Sequence, residues 1–185
     1  YRWSVDIIEM PAGGLARHRC KTRSKSVQLS RLHEISDLVV SFELFPPKNA
    51  EAEVKLFEQT IPEMLELDPA FMTCTYGAGG STQGQTLDIV RRLKNEVGIE
   101  AATHLTCVGA SRADLAKVLE TSRADGITNI LALRGDPPAK DPNFRPHPDG
   151  FKLAVELVRF IKNFSDFDVV VAGYPEGHPE CPDKY

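Results

Sequence analysis

The residues able to do chemistry in this chain stand at the ends of short apolar runs. Glu43 closes the run Leu38–Glu43 and precedes Phe45-Pro46-Pro47-Lys48. Thr75 and Tyr76 end a second run and lead into Gly77-Ala78-Gly79-Gly80. His104 and Thr106 lie within the run Ala101–Cys107. Arg134-Gly135-Asp136 follows Thr128–Leu133, and Tyr174-Pro175-Glu176-Gly177-His178 follows the run that starts at Asp168. A carboxyl group beside a rigid Pro-Pro turn suits proton transfer. Glycines ahead of a helix admit close backbone approach and suit an anion. Arg134 and Asp136 either pair across their turn or hold a charged cofactor. Tyr174 and His178 either brace a turn or meet a planar one. Plainer roles stand beside these: Glu43 as a surface or capping acid, His104 as a satisfied core histidine, the glycines as a tight turn. The glycine pattern is neither G-x-G-x-x-G nor G-x-x-x-x-G-K-[ST], and there is no G-x-S-x-G elbow. His178 and Cys181 have H-x-x-C spacing without a second ligand pair, so no metal site is expected.

The elements that must position these residues alternate along the chain. Five β-rich runs, near 38–43, 70–75, 101–107, 128–133 and 168–173, show little polar alternation. Such runs suit strands buried on both faces of a parallel sheet. Helical stripes fill the intervals: Val54, Phe57, Ile61 and Leu65, interrupted by Pro62; Leu87, Val90, Leu93 and Val97; Leu115, Val118 and Leu119; Ala154, Leu157, Val158 and Ile161. Thr82 with Gln85 has capping-box spacing, Ser111 is a second candidate cap, and Gly98 and Gly126 are stops. This βα repeat fits a (β/α)8 barrel or an open doubly wound sheet, and in both chemistry gathers at the carboxyl ends of the strands. Every run delivers a polar group at that end, which points to an active site.

Composition narrows the classes further. The 185 residues carry 22 Lys+Arg and 26 Asp+Glu, a net charge of −4, which disfavours a dedicated nucleic-acid binder. No run of about 18 apolar residues is present, so no membrane helix is expected. Residues 1–37 carry a net charge of +3, concentrated at Arg17, Arg19, Lys21, Arg23 and Lys25. A solvated N-terminus is the plain reading, with a targeting segment or a phosphate-binding arm as alternatives. Asp6 and Glu9 speak against a transit peptide. Cys20, Cys74, Cys107 and Cys181 are widely spaced, which suits a reducing, cytoplasmic setting without disulfides.

The blocks Ser41-Phe42-Glu43-Leu44-Phe45-Pro46-Pro47-Lys48, Thr75-Tyr76-Gly77-Ala78, His104-Leu105-Thr106-Cys107, Ala132-Leu133-Arg134-Gly135-Asp136-Pro137 and Ala172-Gly173-Tyr174-Pro175-Glu176-Gly177-His178-Pro179 together resemble the methylenetetrahydrofolate reductase family. They occur in the family's order and spacing over about residues 38–185. The resemblance implies a (β/α)8 TIM barrel binding FAD at the carboxyl ends of its strands, with about the first five βα units in this chain. Residues 1–37 are then a basic N-terminal extension with a candidate leading helix, and 38–185 a partial flavin-dependent reductase barrel.

The implied reaction reduces 5,10-methylenetetrahydrofolate to 5-methyltetrahydrofolate, with NADH or NADPH as reductant and FAD as hydride carrier. By the same resemblance Glu43 matches the general acid that protonates the folate nitrogen as its ring opens. Burial beside Phe42, Phe45 and Pro46 is expected to raise its pKa. Asp136 matches a second catalytic position, near flavin and pterin. Thr75, Tyr76 and Ala78 match the flavin and nicotinamide contact loop, and His104, Arg134, Gly135, Ala154, Tyr174 and His178 match FAD contacts. The resemblance also implies a homo-oligomeric full-length parent, with no nucleic-acid or membrane partner. An alternative is a catalytically incompetent fragment that acts only as a binding or partner module. A weaker one is another pterin-handling βα barrel, such as a methyltransferase.

Overall fold

The computed structural model describes residues 27–76, 83–137, 144–174 and 177. Its elements run α1 (Leu29–Ile35), β1 (Ser41–Leu44), α2 (Ala50–Lys55), α3 (Ile61–Leu65), β2 (Phe71–Cys74), α4 (Gln83–Arg92), β3 (Glu100–Thr106), α5 (Arg112–Ala124), β4 (Asn129–Leu133), α6 (Ala154–Phe164) and β5 (Asp168–Val171). The five strands form one parallel sheet in the order β1-β2-β3-β4-β5. All five expected strands are present. The first begins at Ser41 rather than Leu38, whose side chain is exposed, and the last ends at Val171.

Side chains alternate between the two faces of this sheet. One face carries Leu44, Met72, Cys74, Ala101, Leu105, Ile130 and Ala132, and helices α3–α6 pack on it, with Leu56 and Phe57 just before α3. Ile61, Ile89, Val90, Leu93, Leu115, Leu119, Leu157 and Ile161 supply the helical side of that core, each fully buried. Each such side chain contributes about 1.5–3 kcal/mol of transfer free energy. An unreversed strand order with all crossover helices on one face is a barrel segment. A doubly wound sheet reverses its order and carries helices on both faces. The structure is thus α/β with the architecture of a partial (β/α)8 barrel.

Two helical stripes depart from simple periodicity. A π turn, Leu56–Thr60, joins α2 to α3, and another, Leu93–Val97, ends α4. In the first, Ile61 N–H donates to Leu56 O, just before Pro62, which has no N–H to give. An added residue rotates the stripe by about 100°. Ile61 is therefore buried while Val54 and Leu65 are exposed. Gly98 closes the second π turn at φ +81°, the left-handed region where glycine carries no Cβ penalty. Ser111 caps α5 as expected: its hydroxyl accepts from Asp114 N–H at 3.1 Å, and the Asp114 carboxylate accepts from Ser111 N–H at 3.1 Å. Thr82 lies outside the described residues. The Gln85 amide donates to Pro47 O at 2.8 Å.

The opposite face is closed at its amino end by α1. Leu29 and Leu32 pack on Ala102, Phe71 and Val170. Seven residues cannot hold a helix alone, and Gln28 provides no side-chain cap. The caps come from the first residues of three strands instead. Val27 N–H donates to Glu100 Oε2 at 2.8 Å, Leu29 N–H to Asn129 Oδ1 at 3.1 Å, and Ser30 N–H to Asp168 Oδ2 at 2.8 Å. Asn129 Nδ2 donates to Val27 O and to Glu100 Oε1, and Lys94 pairs with Glu100 at 2.6 Å. Among the described residues, no helix is long and apolar enough to cross a membrane. Asn129→Ala removes three of these bonds within a closed space. It is expected to lower the unfolding free energy by about 3 kcal/mol, read from urea denaturation at unchanged slope. A loss below about 1 kcal/mol would show that α1 is held by its apolar contacts alone.

Candidate active site

The carboxyl ends of the strands meet where the face away from α2–α6 is open. Register and alternation put Glu43, Thr73, His104 and Thr106 on that face. Glu43 pairs in register with Thr73, and Thr73 with Ala102, which puts His104 one step diagonally onward. The Glu43 carboxylate lies 3.5 Å from His104 Nε2. His104 is 5% exposed, and burial pushes its imidazole down to about 4. It is neutral near pH 7 and gives Glu43 no counter-charge at this contact. The expected burial of Glu43 is not observed. Half of its side chain is exposed, Phe45 is exposed, and Pro46 is only half-buried, because the Phe45–Pro47 turn leads outward from the sheet.

Backbone and side-chain bonds lock the strand-end turns. Thr75 N–H donates to Leu44 O, and Thr86 Oγ1, fully buried in α4, donates to Thr75 O, both at 2.8 Å. Tyr76 is half-buried, and burial raises its phenol well above its ordinary value. Cys74, on the helix side, is pushed up to about 12 by burial and is an inert packing thiol. Val108 N–H donates to Arg134 O at 2.9 Å, holding the β4 turn against the end of β3. Gly135 sits in that turn at φ +79°. A Cβ there would lie 2.6 Å from Val108 Cγ1 and 2.9 Å from Thr106 Cβ. Both the conformation and the space require glycine. Arg134 Nη2 lies 3.9 Å from Asp136 Oδ1, and Asp136 is almost fully exposed. Ala154 opens α6, half-buried, and Tyr174 is exposed just beyond β5.

The structure thus brings Glu43, Thr75, Tyr76, His104, Arg134, Gly135 and Asp136 to one end of the sheet, on β1–β4 or the turns after them. Ala154 opens the neighbouring α6, and Tyr174 lies just beyond β5. Ala78 and His178 lie outside the described residues, as do Cys20 and Cys181. Among the described residues, no group of three or more His, Cys, Asp or Glu is placed to hold a metal ion. Two buried polar atoms at this end, His104 Nε2 and Thr106 Oγ1, have no hydrogen-bond partner among the described residues. Buried polar groups are nearly always paired, so this end fits a ligand rich in hydrogen-bonding atoms. Sequence reading missed the buttresses Gln85 and Thr86, because a polar residue on a helix shows no sign of the loop it will brace.

Because burial lowers the His104 pKa from 6.5 to about 4, the unfolded chain binds a proton in that window that the folded chain refuses. Stability is therefore expected to fall as pH drops from 6.5 towards 4. An NMR titration of the His104 ring should show it neutral at pH 6. A midpoint near the ordinary value would show that water reaches the imidazole.

Comparison with known proteins covers the part of the chain that holds these strands. Residues 28–185 match the family model described as methylenetetrahydrofolate reductase. The chain is 44% identical over 143 residues to "Methylenetetrahydrofolate reductase (NADH) 1" of Zea mays, covering 76% of this chain and 24% of that protein. It is 40% identical over 155 residues to the Arabidopsis thaliana protein of the same name, covering 83% and 26%. It is 40% identical over 143 residues to "5,10-methylenetetrahydrofolate reductase" of Escherichia coli K12, covering 77% and 46%. The chain spans about a quarter of the plant relatives and nearly half of the bacterial one. With the one-sided parallel sheet and its strand-end blocks, this match over most of the chain shows that it belongs to the methylenetetrahydrofolate reductase family.

Proposed function

We propose that this chain carries the flavin-binding and proton-donating part of an NAD(P)H-dependent reductase that converts 5,10-methylenetetrahydrofolate to 5-methyltetrahydrofolate. The observation that carries this reading is the pair of unpartnered buried atoms, His104 Nε2 and Thr106 Oγ1, beside Glu43 and the Arg134–Asp136 turn. Bound FAD supplies the hydride-carrying chemistry. His104 and the Gly135 turn would hold its ring system, with Gly135 letting the backbone come close. Arg134 offers a cation for its phosphates. Thr75, Tyr76, Ala154 and Tyr174 stand at the same end, and the family resemblance adds Ala78 and His178 as candidate contacts. Asp136, open to solvent, accepts hydrogen bonds from the pterin ring. Glu43 delivers the proton to the folate nitrogen as the ring opens, and its exposure leaves it reachable by a substrate entering from the mouth. The names of the plant relatives specify NADH, which supports that reductant over NADPH.

The test begins with the visible spectrum of the purified chain after incubation with FAD. A bound flavin spectrum is expected, with FAD released on denaturation. A colourless protein would instead favour a partner module without turnover. In flavin-loaded enzyme, Glu43→Gln is expected to lower folate reduction by about 100-fold or more while flavin stays bound. Full folate reduction by that variant would remove Glu43 from the role of general acid.

A further inference from the structure

Three buried side-chain polar atoms lack a hydrogen-bond partner among the described residues: His104 Nε2, Thr106 Oγ1 and Ser122 Oγ. Ser122 is fully buried on α5, within the helix packing. A small side chain is what that contact needs, and serine is small. Thr106 has no such reason. It is 7% exposed at the carboxyl end of β3. Its methyl and Cβ pack against Gly135, at 3.2 and 2.9 Å from where a Cβ there would stand. Pairing with Leu133 fixes its backbone, and the bonds Cys107 N–H to Leu133 O and Val108 N–H to Arg134 O fix the two residues after it. Valine would fill the same space, suit the strand as well, and bury no hydroxyl. An unpaired hydroxyl there costs stability and gains nothing inside the fold.

Thr106 also shares its face with His104, two residues before it and so about 6.6 Å away along the strand. The two unpartnered atoms therefore look onto one space, bounded by the Gly135 turn. We infer that Thr106 is a further cofactor-binding residue, its hydroxyl hydrogen-bonding the polar edge of the flavin ring system. A threonine hydroxyl both donates and accepts, and so matches a ring edge that alternates N–H and C=O groups. This inference rests on the proposed binding of FAD at this end of the sheet.

The test compares the wild-type chain with Thr106→Val and Ser122→Ala, by apo thermal melting and by FAD titration. Both substitutions remove an unpartnered hydroxyl, so both apo variants are expected to melt at or above the wild-type temperature. Thr106→Val is expected to weaken FAD binding about five- to fifty-fold, and Ser122→Ala to leave it unchanged. Equal FAD affinity in Thr106→Val and wild type would overturn the inference and leave the flavin reading intact. So would a lower apo melting temperature for Thr106→Val, because the hydroxyl would then have a partner within the fold. A wild-type chain that takes up no FAD would overturn both.

Discussion

Strand side chains alternate between two faces, so the pairing Glu43–Thr73–Ala102–Asn129–Asp168 decides which chemistry this sheet presents. That one row crosses all five strands. It meets β1 near its carboxyl end and meets β4 and β5 at their first residues. The same ladder therefore ties an acid at the mouth to an amide and an acid at the floor. A slip of one residue in β1 would turn Glu43 into the helix-side core and Leu44 to the open face. The apolar helix-side core forbids it, because Leu44, Met72 and Cys74 are buried there together. Packing on one face thus holds the register that the other face needs.

The two ends of the open face use polar residues in opposite ways. At the floor, Glu100, Asn129 and Asp168 direct their hydrogen bonds to the first turn of α1, and the network closes on itself. A satisfied buried network rigidifies the base on which the strands stand. At the mouth, His104 Nε2 and Thr106 Oγ1 are buried and have no partner among the described residues. A fold tolerates such atoms where something outside the chain supplies the partner. Along one strand, β3, Glu100 is hydrogen-bonded within the fold while Thr106 Oγ1 has no partner among the described residues.

Burial also sets the electrostatics of the mouth. His104 is neutral, Tyr76 holds its proton, and Cys74 is an inert thiol, all because desolvation disfavours their charged forms. The carboxyl groups keep to the rim, where Glu43 and Asp136 meet solvent.

The strands were legible in the sequence because runs such as Asn129–Leu133 and Asp168–Val171 are apolar, β-branched and too short for helices. The polar groups at their carboxyl ends were legible for the same reason, since a parallel βα repeat sends every strand end to one side. Ser111 with Asp114 was legible because a cap is local chemistry. The structure alone decided the rest. A π turn at Leu56–Thr60 rotated the stripe that Pro62 interrupts, leaving Val54 and Leu65 exposed, and a second one ends α4. Gln85 braces Pro47 across 38 residues of chain. Glu43, expected in an apolar pocket, stands half in solvent. Asn129, at the start of a buried strand, caps a helix 100 residues earlier. Each of these depends on groups far apart in the chain, and local pattern determines only what neighbouring residues decide between themselves.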